Sequence, residues 1–287
     1  MCIRDRLFVG DSITRQQQFP NRVVRYLSDR LRLRISTFGN VQLMLDPYDP
    51  SFFEPADSNV YVEAYNGWST SMYLNKYWID SSSINNDSDV SRPPFWYGEN
   101  LNEGELNFER YVQETGDGKF PDIIVLMLGT NDVFSADPYA PTELDTNIEK
   151  SSDIISKNIE EMISLFQSNG KIVPVIVVTP PPTSLSEIAV QVLYGEITTA
   201  DKYNASTLIL GKRLLDKFKS RENEKIYTVS NYIGFDSLDG YVQSQVVHPS
   251  NTGHEQIANQ IYSRLTSILS KPDETDFLIK NRQNLNQ

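Results

Sequence analysis

Pro121-Asp122-Ile123-Ile124-Val125-Leu126-Met127-Leu128-Gly129-Thr130-Asn131-Asp132 is the stretch that decides how this chain folds. Ile123 to Leu128 is apolar without interruption and is bounded by Pro121 and Gly129. A strand with one wet face alternates apolar and polar residues. A continuous run fits a strand covered on both faces, as in a parallel sheet. Working outward, Ile172 to Val178 repeats the pattern and stops at Pro180-Pro181-Pro182. Leu7 to Val9, Ile35 to Phe38, Val60 to Ala64 and Ile226 to Val229 read as further short strands. Between them lie helical patterns. Val23, Val24, Leu27 and Leu31 share a face within Phe19 to Leu31, and Pro20 suits a first helical turn. Ile148, Ile155, Ile159, Met162 and Phe166 do the same within Asn147 to Phe166, which Asn169-Gly170 stops. Ser206 to Phe218 and Glu255 to Leu269 are helices, and Ser69 to Trp78 is a short one capped by Ser69 or Thr70. Strands alternating with helices predict an α/β three-layer sandwich around a parallel sheet.

One stretch departs from this rhythm. Residues 80–118 carry Ser81-Ser82-Ser83, Asn85-Asn86 and Pro93-Pro94 with scattered aromatics, and read as a long loop-rich insertion. Trp68, Tyr73, Tyr77, Trp78, Phe95, Trp96 and Tyr97 either line a cleft or pack that insertion onto the sheet. No repeat or linker divides the chain, so residues 1–270 read as one domain and 271–287 as a polar tail.

Composition removes several classes of function. The chain has 287 residues, 39% hydrophobic and 22% charged, which is not the signature of a disordered protein. Its formal net charge of −12 repels phosphate backbones and argues against nucleic-acid binding. No apolar run approaches the roughly 18 residues that span a bilayer. Cys2 is the single cysteine, which excludes an intrachain disulfide framework and a multi-cysteine zinc site. The two histidines are His248 and His254. With Asp236 and Asp239 they lack a recognisable metal-ligand spacing, so no metal and no cofactor are expected. Met1 to Arg6 lacks the apolar stretch of a signal peptide. The short Leu7-Phe8-Val9 run behind it suggests that native sequence has been replaced there. The compartment therefore stays open: secreted or periplasmic if a signal was lost, otherwise cytoplasmic.

In open α/β sheets ligands bind at the carboxyl ends of the strands. Gly10-Asp11-Ser12-Ile13-Thr14 follows the first strand, Asn66-Gly67-Trp68 the third, and Gly129-Thr130-Asn131-Asp132 the clearest one. Val247-His248-Pro249-Ser250 precedes the last helix. Ser12 is placed as a nucleophile on a tight strand-to-helix turn, where Gly10 relieves crowding. A hydroxyl needs a base to take its proton, and His248 is the available residue whose ordinary pKa lies near neutrality. The N–H groups of Ser12 and Gly67 and the side-chain amide of Asn131 can supply fixed donors to an oxyanion. Asp11 reads as an anchor of the turn and Asp132 as structural support. His254 reads as structural.

These four blocks, in this order, resemble the SGNH (GDSL-type) hydrolase superfamily over about Leu7 to Leu269. Glu63 to Thr70, Pro94-Phe95-Trp96, Phe108 to Tyr111, Pro121-Asp122, and Gly253 with Ile257-Ala258 look like one esterase-like branch of it. The resemblance implies a flavodoxin-like three-layer fold. It also implies a serine ester hydrolase that works through an acyl-enzyme without metal or nucleotide. Ser12 would be nucleophile, His248 base, and Ser12, Gly67 and Asn131 the oxyanion hole. The family usually places an aspartate three residues before the histidine, and here that residue is Gln245. Three readings follow. Asp236 or Asp239 folds back as the acid, a Ser12–His248 dyad works with a backbone carbonyl orienting the ring, or the protein is a weakened hydrolase that serves as a binding module. The expected substrate is a short acyl ester, such as an O-acetyl group on a carbohydrate, with a lipid or lysophospholipid ester as the alternative.

Overall fold

The computed structural model describes residues 5–16, 18–42, 60–74, 93–100, 103–168, 170–242 and 245–271. The chain begins with β1 (Asp5–Gly10), the one-turn α1 (Ser12–Arg15) and α2 (Gln18–Leu31). The short strands β2 (Ser36–Thr37) and β3 (Val41–Gln42) precede β4 (Tyr61–Ala64) and α3 (Thr70–Tyr73). The β5–β6 hairpin (Trp96–Asn100, Glu103–Leu106) and α4 (Phe108–Thr115) lead into β7 (Ile123–Met127) and α5 (Ile148–Phe166). After these come β8 (Val175–Val178), α6 (Glu187–Tyr194), α7 (Ala200–Phe218) and β9 (Ile226–Val229). The chain then passes α8 (Asn231–Gly234) and α9 (Ser237–Gly240) to α10 (Asn251–Leu269).

The main sheet has the order β3-β4-β1-β7-β8-β9, with β2 paired to β1 beside it. Every pairing in it is parallel except that of β3 with β4. The alternation of side chains across each strand builds two cores. Leu7, Val9, Ile124, Leu126, Val175 and Val177 face α4, α5 and α7, meeting Phe108, Ile155, Phe166 and Leu214. Phe8, Val125, Met127, Ile176 and Tyr227 face α2 and α10, meeting Phe19, Val23, Ile257 and Ile261. The uninterrupted run at Ile123–Met127 is thus a strand buried on both faces, and the three-layer α/β/α arrangement is present. Among the described residues no helix is long and apolar enough to cross a membrane.

The 80–118 stretch differs from its loop-rich expectation where it is described. Phe95, Phe108, Tyr111 and Val112 are buried in the core, and Phe95 meets Phe108, Tyr111 and Phe166 edge-on at 5.7, 4.9 and 5.5 Å between centroids. α4 is the helix that carries the chain from β4 to β7, so this part belongs to the framework. Its apolar face, Phe108-Tyr111-Val112, is too brief for a periodic signal. Residues 75–92 and 272–287 lie outside the described residues, and with them the end of the Ser69–Trp78 helix and most of the expected tail. α7 starts at Ala200 rather than Ser206, where Thr199 accepts the Lys202 N–H at 3.1 Å, and α10 starts at Asn251 rather than Glu255, capped by Ser250. Polar first turns hide helix starts from a reading based on apolar spacing.

Arg6 is the anomaly of β1. It is fully buried, pairs with Thr37 and Ile123 in the sheet, and none of its three guanidinium nitrogens has a hydrogen-bond partner among the described residues. Burial lowers its pKa to about 10, opposed by the charge of Asp122. A buried cation without hydrogen bonds is unfavourable. Arg6→Leu is therefore expected to stabilise the fold by about 1–3 kcal/mol, measured as a higher urea midpoint at unchanged slope; a lower midpoint would show that the guanidinium is supported.

Candidate active site

The site grows from the carboxyl end of β1. Gly10 pairs with Ala64 of β4 on one side and Met127 of β7 on the other. A side chain here would put its Cβ 2.0 Å from Thr14 Oγ1 and 2.8 Å from the Met127 carbonyl, so the turn demands glycine. Asp11 then caps α1, accepting the Ile13 N–H at 3.1 Å. Ser12 is the first residue of α1, so its N–H has no carbonyl one turn back to bond. Its hydroxyl lies 2.9 Å from His248 Nε2, a contact between residues 236 apart in sequence. Ser12 is buried and His248 is half-buried.

The donor loops come from the neighbouring strands. After β4, Tyr65 to Trp68 closes a turn with Trp68 N–H to Tyr65 O at 3.4 Å. Gly67 is its third residue with φ +74°, the positive value that a type II turn requires. Nothing lies within 4 Å of where its side chain would be, so its backbone is open to a ligand. After β7, the Asn131 side-chain amide donates to Trp68 O at 3.0 Å. An amide nitrogen carries two hydrogens, which leaves the second for a ligand. Asp132 accepts the Thr70 N–H at 3.0 and 3.1 Å and the Thr70 hydroxyl at 2.6 Å. The structure thus brings Ser12, Gly67, Asn131 and His248 to one rim of the sheet.

The expected ring-orienting residues stand elsewhere. Gln245 is exposed, and its side chain makes no hydrogen bond among the described residues. Asp236 caps α9 by accepting the Leu238 N–H at 2.9 Å. Asp239 is exposed and contributes its backbone carbonyl to Ser250 Oγ at 3.2 Å. None of these three side chains is bonded to the His248 imidazole among the described residues. His254 has the opposite environment to His248. It is fully buried, sits 3.0 Å from Gln16 Oε1, stacks on Phe19, and burial pushes its pKa down to about 3. Of the aromatics weighed for a cleft, Trp68, Tyr73, Phe95 and Tyr97 are buried, while Tyr77 and Trp78 lie outside the described residues.

Sequence reading passed over a buried polar layer beneath these loops. Glu63 accepts hydrogen bonds from the Tyr65 and Tyr111 hydroxyls and from Asn40 N–H at 3.0 Å. Burial raises its pKa despite these donors. Thr70 reads in the sequence only as a possible helix cap and Asn158 not at all, because neither a buried threonine's distant partner nor a mid-helix asparagine has a sequence pattern of its own.

Asp11 carries a measurable consequence. Burial pushes its pKa up to about 7, opposed by the Thr130 hydroxyl and the Ile13 N–H and reinforced by the charge of Asp132. A carboxyl whose folded value exceeds its unfolded one favours folding below the unfolded value, and that contribution is lost as pH rises through about 7. Asp11→Asn keeps the capping oxygen and removes the titration. The stability difference between variant and parent is expected to shift toward the variant by about 2 kcal/mol between pH 5 and pH 8. Denaturant melts at both pH values check this; a constant difference would contradict it.

The geometry can be set beside known proteins. Among solved structures, the chain is similar to a carbohydrate esterase family 3 protein from Talaromyces cellulolyticus, at 19% identity and TM-score 0.52, covering 94% of this chain and 98% of that one. A carbohydrate acetylesterase family member from Sinorhizobium meliloti matches at 14% identity and TM-score 0.51, covering 93% and 100%. An acetyl esterase mutant with acetate ion matches at 19% identity and TM-score 0.50, covering 94% and 98%. At these identities the likeness is one of fold. A comparison with curated protein sequences finds no match. The GDSL-like Lipase/Acylhydrolase family model matches residues 7–261, and on that span the chain belongs to this family and so to the carboxylic ester hydrolases.

Proposed function

We propose that this protein removes a short acyl group, an acetyl ester of a carbohydrate, through an acyl-enzyme on Ser12. The observation that carries the reading is the 2.9 Å contact between Ser12 Oγ and His248 Nε2. In this mechanism Nε2 accepts the serine proton as Oγ attacks the ester carbonyl. The carbonyl oxygen becomes an oxyanion held by the N–H groups of Ser12 and Gly67 and the free amide hydrogen of Asn131. His248 returns the proton to the leaving alcohol. Water, deprotonated by the same ring, then attacks the acyl-serine and releases the carboxylic acid. Short acyl and sugar are supported by the names of the similar structures, an acetyl esterase and two carbohydrate esterases.

A second reading is favoured by one observation, the exposed Gln245 at the position where the family usually carries an acid. In that reading the cleft binds an acylated glycan and turns it over poorly. One experiment separates the two. The parent is expected to be labelled by a fluorophosphonate at Ser12 and to cleave p-nitrophenyl acetate faster than longer esters. Ser12→Ala is expected to lose labelling and at least about 10³-fold in kcat. Equal turnover by Ser12→Ala would exclude the serine mechanism. A folded parent that resists labelling yet binds acetylated xylo-oligosaccharide would favour the binding module.

A further inference from the structure

The oxyanion donors assigned above sit on two loops that do not belong to one element. Gly67 follows β4 and Asn131 follows β7. An oxyanion hole works only if its donors are fixed before the charge develops. Something must therefore hold one loop against the other, and the bonds that do so converge on Thr70. Its N–H and hydroxyl both donate to Asp132, the residue next to Asn131. Its hydroxyl oxygen in turn accepts an N–H from Asn158 Nδ2 at 3.0 Å. The other hydrogen of that amide goes to Ser71 Oγ at 3.1 Å. Thr70 is 0% exposed and Asn158 is 1% exposed.

We infer that Thr70 and Asn158 are positioning residues for the oxyanion donors, acting through the Asp132 carboxylate. The inference rests on the Ser12 reading above. Its direction of donation is uniform: Asn158 N–H to Thr70 oxygen, then Thr70 O–H to Asp132 oxygen. Such chains polarise each bond in the same sense. Asn158 stands on α5, whose Ile155, Ile159 and Met162 are locked into the core, so the chain ends on a rigid support. At the other end, Asp132 reaches Thr70 while Asn131 reaches Trp68 O. The two loops are thus pinned twice, Thr70 to Asp132 and Trp68 to Asn131, within three residues of Gly67 on one side and at Asn131 itself on the other. A buried hydroxyl and a buried amide contribute little packing that an apolar residue would not. Their distinctive effect is to fix where the donors point.

The test is kinetic. Thr70→Val keeps the shape and removes the hydroxyl, and Asn158→Ala removes the distal support without touching Asp132. For both variants the expected result is a fall in kcat of roughly 10–100-fold at a KM within about threefold of the parent. The fluorophosphonate inactivation rate is expected to fall in parallel, because the phosphonyl oxygen enters the same hole. Thr70→Ser restores the hydroxyl and is expected to recover most of the loss. Circular dichroism and the thermal midpoint establish that each variant is folded; if Thr70→Val does not fold, the Asn158→Ala result decides. Ser12-dependent turnover in the parent with an unchanged kcat in the folded variants would overturn the inference alone. A parent with no Ser12-dependent turnover would overturn the site reading and the inference with it.

Discussion

The rim described above exists because three parallel strands end in register. Gly10 is paired with Ala64 and with Met127, so the chain leaves β4, β1 and β7 at one level, each strand about 4.8 Å from the next. One buried hydroxyl secures that level. The Tyr73 hydroxyl lies 2.7 Å from Gly10 O and 2.9 Å from Glu63 O, its one hydrogen shared between the last residue of β1 and the penultimate residue of β4. Tyr65 N–H adds a bond to Gly10 O at 3.3 Å as the chain leaves β4. Side chains then need no long reach. A serine two residues beyond β1, a glycine three beyond β4 and an asparagine four beyond β7 reach the same rim because their strands stop together.

The material beneath that rim is unusual in carrying carboxyl groups where apolar residues would be cheaper to bury. Asp11, Glu63 and Asp132 all have pKa values raised above the ordinary carboxylate range, with burial as the main cause in each. Asp132 reaches about 6. Each of them accepts hydrogen bonds from the start of a rim loop or from the residues that brace it: Ile13 for Asp11, Tyr65 and Tyr111 for Glu63, Thr70 for Asp132. Apolar replacements would fill the space without directing a loop. The histidines divide along the same line. His254 is sealed and neutral against Gln16 and Phe19, tying α10 to the residue that ends α1. His248, six residues earlier, is half-buried and in contact with Ser12.

Much of this was legible in the sequence because it depends on local pattern. Continuous apolar runs announced the central strands, and small polar residues after each run announced the rim. The failures share one cause. α4 was hidden because its buried face is only Phe108, Tyr111 and Val112. α6 was hidden because its apolar residues point outward: Ile188 and Val192 are 76% and 77% exposed, so its composition does not report its burial. The Thr70–Asp132 and Glu63–Tyr111 bonds join residues 62 and 48 apart, and no spacing rule reaches that far. Sequence reports period and punctuation; it does not report which polar groups find each other in the core.

Gln245 gains a physical meaning from the loop around it. A triad acid does two separable things: it holds the imidazole in one orientation, and it stabilises the imidazolium once the ring takes a proton. Here the backbone on either side of His248 is already tied down. Ser184 N–H donates to Val246 O at 2.9 Å, and the Thr183 hydroxyl bonds the same carbonyl. Two residues beyond the ring, Ser250 N–H donates to Gly240 O at 2.8 Å while its hydroxyl accepts the Gly253 N–H at 3.2 Å. Pro249 fixes the intervening backbone. The imidazole is therefore carried on a braced loop, and the resulting 2.9 Å contact with Ser12 needs nothing from residue 245. The charge-stabilising half of the acid's work is what Gln245 leaves out, because an amide side chain has no charge to lend. If His248 is the base of the proposed mechanism, bracing of its loop and stabilisation of its charged form fall to different groups, and Gln245 supplies no charge for the second.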